Sequence, residues 1–461
     1  MHDPIVEAEP GAPTLGKGLS QRHIAMISIG GIIGAGLFVG SSAAIAAVGP
    51  AIIISYILAG LVILCVMRML GEMAASNPGI SSFTEFTRAG LGNWAGFTTG
   101  WLYWYFWVVV VAIEAIAGAV ILREWLPFEV WQIGLVLMLL MTAVNLLSTR
   151  SYGEFEFWFA SLKVAAIIAF ILIGAGYLLG GGAPPDAQGL AHLYSHQGFA
   201  PFGVAAVLSG VVTVIFALTG AEIATIAAAE SAEPAKTVAK MTNSVAVRIL
   251  LFYVASIFVI LAVVPWNEVT PGSSPFATAL ERIGVPGAAL AMKIIVLTAV
   301  LSCLNSGLYV TSRVLFTLAS RGDAPQSLVA LNKRKVPARA ILIGSVFGYG
   351  AVIASIISPE LVFAFLVNAS GATMLIVYML IAVSQIRLRR RLERTNPEQV
   401  VARMWLFPGL SYAVIVAIAG VLAAMAFTPE LLVQLAASLF GLIVVLALYF
   451  GVRQRRRYAP A

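Results

Sequence analysis

Twelve apolar runs constrain this chain more than any other feature of its sequence. Each is close to the ~20 residues that a helix needs to cross the hydrocarbon core of a bilayer. Only 11% of the 461 residues are charged, whereas soluble domains carry about 25%. The sequence therefore predicts an all-α polytopic membrane protein with twelve transmembrane helices. These spans, numbered 1 to 12, cover residues 24–48, 50–71, 96–121, 129–148, 156–180, 204–229, 245–265, 288–319, 339–358, 361–385, 406–427 and 430–451.

The basic residues predict how the chain is oriented. Most of the 28 Lys and Arg residues fall in the two tails and in alternate loops, with clusters at 333–335, 387–391 and 453–457. Only Arg123 and Arg282 lie in the opposite loops. This asymmetry is typical of cytoplasmic loops, so both termini are expected to face the cytoplasm. The clusters are expected to touch anionic lipid, and the net charge of +7 then needs no nucleic-acid partner.

The N-terminal tail and the cysteines carry no further chemistry. Residues 1–20 lack the basic start, apolar core and cleavage site of a signal peptide, so they are expected to form a cytoplasmic tail. Cys65 and Cys303 both lie inside apolar runs, which predicts packed small residues and no disulfide. Span 3 is rich in aromatic residues, which predicts an interfacial belt with some rings facing protein, and a substrate-facing role for one of them is the alternative. These are Trp101, Tyr103, Trp104, Tyr105 and Trp107.

Span 1 contains the glycine-rich stretch SIGGIIGAGLF, residues 28–38. Each glycine costs a helix interior about 1 kcal/mol relative to alanine, so the run reads as two short helices at 21–30 and 35–47. Close packing of a neighbouring helix on small residues is the alternative. The glycines point around the helix and not to one side, which favours an unwound segment. Freed N–H groups before the second helix would suit a carboxylate.

Span 6 contains a second weak point, in IFALTGAEIATIAAAES, where Thr219, Gly220 and Glu222 interrupt an apolar run. Interrupted helices at matching positions of two halves point to an inverted-repeat transporter that holds its substrate at the midplane. The expected organisation is repeat 1 at 21–180 (spans 1–5), repeat 2 at 204–386 (spans 6–10), accessory spans 11 and 12 at 404–452, and a basic cytoplasmic tail at 453–461.

Ionisable residues inside spans are costly, at about 2.5–3.5 kcal/mol or more, and are usually functional. Lys163 in span 5 either snorkels to the cytoplasmic face or titrates, and Glu114 and Glu222 either make structural hydrogen bonds or serve substrate and proton. In span 8, Asn305 and Ser306 suit the bundle interior. Arg313 is expected to make gate and loop contacts at the cytoplasmic side.

Several stretches resemble bacterial amino acid permeases of the amino acid-polyamine-cation superfamily. They are HIAMISIGGIIGAGLFVGSS, GEMAASNPGISSFTEF, GAEIATIAAAESAEPAKTV, SCLNSGLYVTSRVLFTLASRGDAP and VSQIRLRRRL. Within that superfamily the chain resembles the amino acid transporter family, and TIAAAES, SCLNSGLY and RMWLFPGLS are most like its branch that transports γ-aminobutyrate (GABA).

The resemblance implies a five-plus-five inverted repeat in a bacterial inner membrane and proton-coupled symport of a small zwitterionic amino acid, GABA first. Another substrate (aromatic, proline or basic amino acids) and an exchanger without proton coupling remain alternatives. The proton is the only driving ion expected, and neither a cofactor nor a metal is expected. No pattern of nucleophile and base or of metal ligands falls in a span, so an enzyme is not expected. The oligomeric state is left open.

The resemblance also assigns roles to residues. Backbone donors from the first interrupted span would hold the substrate carboxylate, and carbonyls of the second would face the amine, with Phe216 closing over the substrate. Lys163 would stand where sodium-coupled relatives hold their ion, and Glu222 would take part in coupling. For Glu114 the resemblance does not choose between meeting the amine and a structural hydrogen bond. The residues assigned to the substrate are Ile32, Gly34, Ala35, Gly36, Glu114, Phe216, Ala217 and Thr219.

Overall fold

A computed structural model describes residues 33–77, 80, 82–147, 149–180, 189–220, 222, 250–400 and 403–458. In these residues the regular structure is helical throughout, without a β-strand. The α-helices are α1 Ala35–Phe38, α2 Gly40–Val48, α3 Ile52–Ser76, α4 Phe83–Leu91, α5 Asn93–Arg123, α6 Val130–Asn145, α7 Thr149–Leu179, α8 Gly203–Leu218, α9 Ala255–Val263, α10 Pro275–Ile283, α11 Ala288–Ser320, α12 Ala338–Ala354, α13 Pro359–Thr395, α14 Gly409–Ala426 and α15 Pro429–Tyr458.

Every predicted span contains helix within the residues that the structure describes. Span 1 contains α1 and α2, and spans 2 to 12 contain α3, α5, α6, α7, α8, α9, α11, α12, α13, α14 and α15 in order. In the described part of the chain, seven helical stretches have the length and hydropathy to cross a membrane, and four shorter apolar helices lie between them: α6, α8, the stretch around α9, and α12. The fold class predicted from the sequence is confirmed.

The position of each helix follows from how its apolar surface is distributed. α5 is apolar all round and its middle is buried, as expected of a helix inside a bundle; it packs against α11, α13, α6 and α12. In contrast, α14 and α15 expose large apolar side chains such as Val416 and Phe440. Such faces suit lipid contact, and they leave α5 as the centre of the bundle.

At both predicted interruptions the described half of the span begins or ends where the sequence predicted. In span 1, Gly34 is extended and α1 begins at Ala35, as predicted, and α2 follows after a distortion at Val39. In span 6, α8 ends at Leu218, Thr219 is extended, and Gly220 has φ 130°, a conformation that favours glycine. The first half of span 1 and most of the second half of span 6 lie outside the described residues.

Two helices are longer than predicted at their C-terminal ends. α13 continues to Thr395, so the basic cluster at 387–391 is helical, and α15 continues to Tyr458. Arg389 on α13 pairs with Glu72 of α3 at 2.5 Å, and Glu72 also accepts from Gln385 and from the backbone N–H of Met404. This buried network fixes α3, α13 and the segment before α14 together.

Candidate functional site

A small cavity lies where the two interrupted spans meet α5 and α11. Its volume is about 10 Å³, which is close to the space that one water molecule needs. An amino acid is several times larger, so binding one requires the lining to separate. The lining residues are Gly34, Gly36, Phe106, Trp107, Val110, Glu114, Phe216, Ala217, Thr219 and Cys303.

Glu114 of α5 bonds to the first interrupted span. The backbone N–H of Ala35 donates to both of its carboxylate oxygens, at 3.0 Å to Oε1 and 3.1 Å to Oε2. Glu114 is only 1% exposed, and a buried carboxylate is stable only when hydrogen bonds replace its water. The backbone donor and the carboxylate that the sequence assigned to opposite ends of a substrate are therefore bonded to each other.

Two glycines allow this close approach. A Cβ on Gly34 would lie 2.5 Å from Glu114 Oε1 and 2.7 Å from Cys303 Sγ. A Cβ on Gly36 would lie 2.6 Å from the Cα of Ala217 and 3.0 Å from the Phe216 ring. These separations are shorter than van der Waals contact allows, so only glycine permits the first span to lie against α5 at Gly34 and against α8 at Gly36.

Glu222 lies at the second interruption and is fully buried. Its Oε2 accepts from the backbone N–H of Gly220 at 3.2 Å and from the Tyr378 hydroxyl of α13 at 3.2 Å. The Tyr378 hydroxyl also lies 3.5 Å from the Thr219 hydroxyl, which donates to the Ile215 carbonyl at 2.7 Å. Glu222 thus holds the unwound turn after α8 against α13.

Lys163 of α7 does not snorkel. Its side chain is 0% exposed, and its Nζ lies 3.8 Å from Oε1 of Glu156, which is also 0% exposed. Oε2 of Glu156 accepts from the Ser302 hydroxyl of α11 at 2.6 Å. Glu114 and Cys303, which line the cavity, both interact electrostatically with Lys163. The pair formed by Lys163 and Glu156 therefore lies beside the cavity.

The three polar residues predicted in span 8 are buried in α11. Asn305 Oδ1 accepts from the Asn145 amide of α6 at 2.7 Å, which ties two helices together as a bundle-interior residue should. The Arg313 guanidinium donates to the Ser312 hydroxyl at 3.0 Å and lies 3.9 Å from the centre of the Tyr309 ring. Its predicted gating role stays a prediction.

Another charged cluster lies at the α4 end of the bundle. Arg88 of α4 pairs with Asp323, which follows α11, and lies 3.4 Å from Glu85. Glu85 also pairs with Arg321 at 2.8 Å, and the indole N–H of Trp101 donates to the Asp323 carbonyl at 3.1 Å. The cluster joins α4, the start of α5 and the end of α11.

The structure brings together most of the substrate residues predicted from the sequence. Gly34, Gly36, Glu114, Phe216, Ala217 and Thr219 line the cavity, and Ala35 donates into it. Ile32 lies outside the described residues. Among the described residues no group of three or more His, Cys, Asp or Glu side chains is placed to hold a metal ion.

Sequence reasoning missed other residues of this region. Trp107 was one of five aromatic residues assigned to an interfacial belt, with a substrate-facing role for one of them as the alternative, and Cys303 was expected to be a packed small residue; both line the cavity. Glu156 was overlooked because it falls among aromatic residues at the edge of span 5. Its spacing of seven residues from Lys163, two helical turns, is the signal that could have revealed it.

Comparison with known proteins gives one family. The family described as amino acid permease matches residues 23–459. The gamma-aminobutyric acid permease of Bacillus subtilis (strain 168) is 49% identical over 445 residues, 96% of this chain and 94% of that protein. A probable GABA permease of Pseudomonas aeruginosa is 47% identical over 449 residues, 96% and 94% of the two chains. The gamma-aminobutyric acid permease of Escherichia coli (strain K12) is 46% identical over 419 residues, 90% and 89%.

Solved structures with a similar fold are more distant in sequence. A crystal structure of the Eremococcus coleocola manganese transporter bound to an aromatic bis-isothiourea substituted compound has a TM-score of 0.58, and a mutant of that transporter has 0.59. Both are 12% identical and cover 95% of each chain. At this identity the likeness shows a shared fold and no more.

Proposed function

The chain belongs to the amino acid permease family, and on that premise we propose that it is a symporter that imports GABA together with a proton. The observation that carries the proposal is the bond between the Ala35 N–H and Glu114, beside a cavity formed by two interrupted spans. The Ala35 N–H is a donor suited to a carboxylate, and Glu114 is an acceptor suited to an ammonium group; in this structure the two are bonded to each other. A zwitterion can separate them by supplying both missing partners. The GABA permease names of the relatives support the substrate.

Substrate binding follows as an exchange of hydrogen bonds. The GABA carboxylate takes the Ala35 N–H, and the released Glu114 accepts from the GABA ammonium. Carbonyl oxygens in the last turn of α8, at Phe216 to Thr219, add partial negative charge near the ammonium, because a helix is negative at its C-terminal end. GABA holds its two charged ends farther apart than an α-amino acid does, which suits a site whose donor and acceptor lie on different helices.

Alternating access follows from the small size of the cavity. Gly36 of α1 touches Ala217 and Phe216 of α8, so these contacts must open for GABA and re-form when it leaves. We place Phe216 as the side chain that closes over the substrate. The two repeats at 21–180 and 204–386 would move against each other, with spans 11 and 12 as an accessory pair.

Proton coupling is assigned to Lys163, with Glu222 as a second coupling residue at the break in span 6. Lys163 is buried beside Glu114, so its protonation state changes the charge next to the substrate ammonium. A protonated Lys163 offsets the negative charge of the carboxylates around it, as a bound cation would. The basic clusters support an orientation with both termini in the cytoplasm, and we propose that the membrane is a bacterial inner membrane.

Uptake of radiolabelled GABA into proteoliposomes tests this proposal, with an inward proton gradient and no sodium. Wild-type protein should accumulate label that unlabelled GABA competes away. Glu114→Gln should weaken apparent affinity by tenfold or more, because a hydrogen bond to a charged group is worth about 1.5–3 kcal/mol.

Glu129→Gln is the matched control. Glu129 is the N-cap residue of α6 and is 61% exposed. Exposed ion pairs contribute little, so uptake should stay within twofold of wild type. If labelled GABA does not accumulate while a proline, basic or aromatic amino acid does, the substrate is wrong. Unchanged affinity in Glu114→Gln would remove Glu114 from the binding site.

A further inference from the structure

Glu156 is a buried carboxylate that the proposed mechanism leaves without a role. It lies on α7, seven residues before Lys163, and both side chains are 0% exposed. Seven residues are two helical turns, so the two side chains share one face of α7, about 10 Å apart along its axis at their Cα atoms. Their charged groups nevertheless approach to 3.8 Å between Nζ and Oε1.

The carboxylate is fixed from a second helix. The Ser302 hydroxyl of α11 donates to Glu156 Oε2 at 2.6 Å, which leaves Oε1 directed at Lys163. The next residue of α11, Cys303, lines the cavity beside Glu114. The pair therefore connects the wall of the substrate cavity to α7.

Stability alone gives a weak reason for such a pair. A buried ion pair often stabilises a protein no more than apolar residues of similar volume, because removing both charges from water is costly. The same cost makes the neutral forms of a buried acid and base accessible. A proton that moves from an ammonium to an adjacent carboxylate cancels both charges, so no net charge is left buried.

We propose that Glu156 accepts the proton that Lys163 releases during each transport cycle. The 3.8 Å between Nζ and Oε1 first closes to hydrogen-bond distance; an N–H bond on Nζ then breaks and an O–H bond forms on Oε1, which leaves a neutral amine and a neutral carboxylic acid. Glu156 afterwards releases the proton to water on the cytoplasmic side and is ready for the next cycle. On the proposed orientation Glu156 is nearer the cytoplasmic end of α7, so the transfer carries the proton inward. The inference rests on the proposed function and adds the step after Lys163.

The test measures proton influx and substrate exchange in the same proteoliposomes. Internal pyranine reports protons that enter on addition of GABA, and counterflow of labelled GABA reports exchange, which needs no net proton movement. Glu156→Gln keeps the shape and the hydrogen bond from Ser302 but cannot accept a proton. Proton influx should fall at least tenfold, while counterflow stays within threefold of wild type. Glu156→Asp should recover part of the proton influx.

Glu72→Gln is the matched control, since Glu72 is also a buried carboxylate in an ion pair, with Arg389, away from the cavity. A structural role at either position lowers proton influx and counterflow together. If Glu156→Gln fails to insert into membranes, Glu156→Asp takes its place as the test. Its ratio of proton influx to GABA counterflow should be below that of wild type, and an unchanged ratio would contradict the proposal.

Three results would overturn the inference. Undiminished proton influx in Glu156→Gln would show that Lys163 discharges elsewhere, and a parallel loss of influx and counterflow would show that Glu156 is structural. Counterflow of GABA without proton influx in wild-type protein would overturn the proposed proton coupling and this inference with it. The first two results leave the proposed function intact.

Discussion

Substitution of Gly36 by alanine should hold the two interrupted spans apart. The added Cβ would lie 2.6 Å from the Cα of Ala217 and 3.0 Å from a ring carbon of Phe216. Carbon atoms pack at about 3.5–4.0 Å, so α1 and α8 must separate by roughly 1 Å. Ala217 Cα belongs to the backbone and cannot rotate away, so the strain falls on the closed arrangement of the two spans.

The cost of this overpacking can be converted into an expected rate. An extra methyl group in a packed interior typically costs about 1–3 kcal/mol, and 1.4 kcal/mol corresponds to a factor of ten. If the cost falls only on states in which α1 and α8 touch, their population drops by about 5- to 150-fold. GABA uptake should fall by a similar factor because each cycle passes through such a state.

The assay is initial uptake of labelled GABA in proteoliposomes at saturating substrate, normalised to inserted protein. Gly350→Ala on α12 is the matched control because a Cβ there meets nothing within 4 Å. It should transport at the wild-type rate and be slightly more stable, since alanine favours helix. Wild-type uptake by Gly36→Ala would refute the idea that close contact between α1 and α8 belongs to the cycle.

Four further predictions follow from individual contacts. Gly34→Ala places a Cβ 2.5 Å from Glu114 Oε1, so it should displace that carboxylate and weaken GABA competition in binding assays by about tenfold, from 1–3 kcal/mol of overpacking; unchanged competition would argue against the Glu114 site. Lys163→Ala should abolish accumulation driven by a proton gradient and leave GABA exchange measurable, and accumulation that persists would exclude Lys163 from coupling. Asp323→Asn removes the ion pair with Arg88 and should lower the free energy of unfolding by about 1–3 kcal/mol, as a lower melting temperature in detergent; an unchanged melting temperature would show that Arg88 finds equivalent partners. Burial lowers the pKa of His192, whose ring also bonds to the Ala262 carbonyl. Below the unfolded pKa of about 6.5 the unfolded state therefore binds more protons, and the free energy of unfolding should decrease as the pH decreases. His192→Asn should weaken this dependence in thermal melts from pH 7.5 to 5.5, and an identical pH dependence would show that it arises from other groups.

The spans and their interruptions could be predicted because each is encoded locally. A run of about twenty apolar residues must be helical in lipid. Glycines or polar residues within the run weaken that helix whichever other helices it packs against. The start of α1 at Ala35 and the end of α8 before Thr219 followed from that reasoning alone.

The pairings between helices could not be predicted in the same way. Trp107 is an aromatic residue in an aromatic-rich span, and the packing of α5 against α11 places its side chain at the cavity. The bond between Glu114 and the Ala35 N–H joins residues 79 positions apart. Such contacts depend on the rotation of each helix about its axis, which the apolar pattern of a helix buried on all sides does not specify.

Charge movement on addition of GABA is a direct measure of import coupled to a proton. GABA is a zwitterion without net charge, so its import with one proton carries one positive charge inward, whereas exchange of GABA for GABA carries none. Proteoliposomes adsorbed to a supported membrane electrode should give a transient inward current when GABA is added at equal pH and without sodium. If Lys163 couples GABA to a proton, this current saturates with GABA and disappears in Lys163→Ala. Saturable uptake of labelled GABA by the same preparation without any current would contradict it.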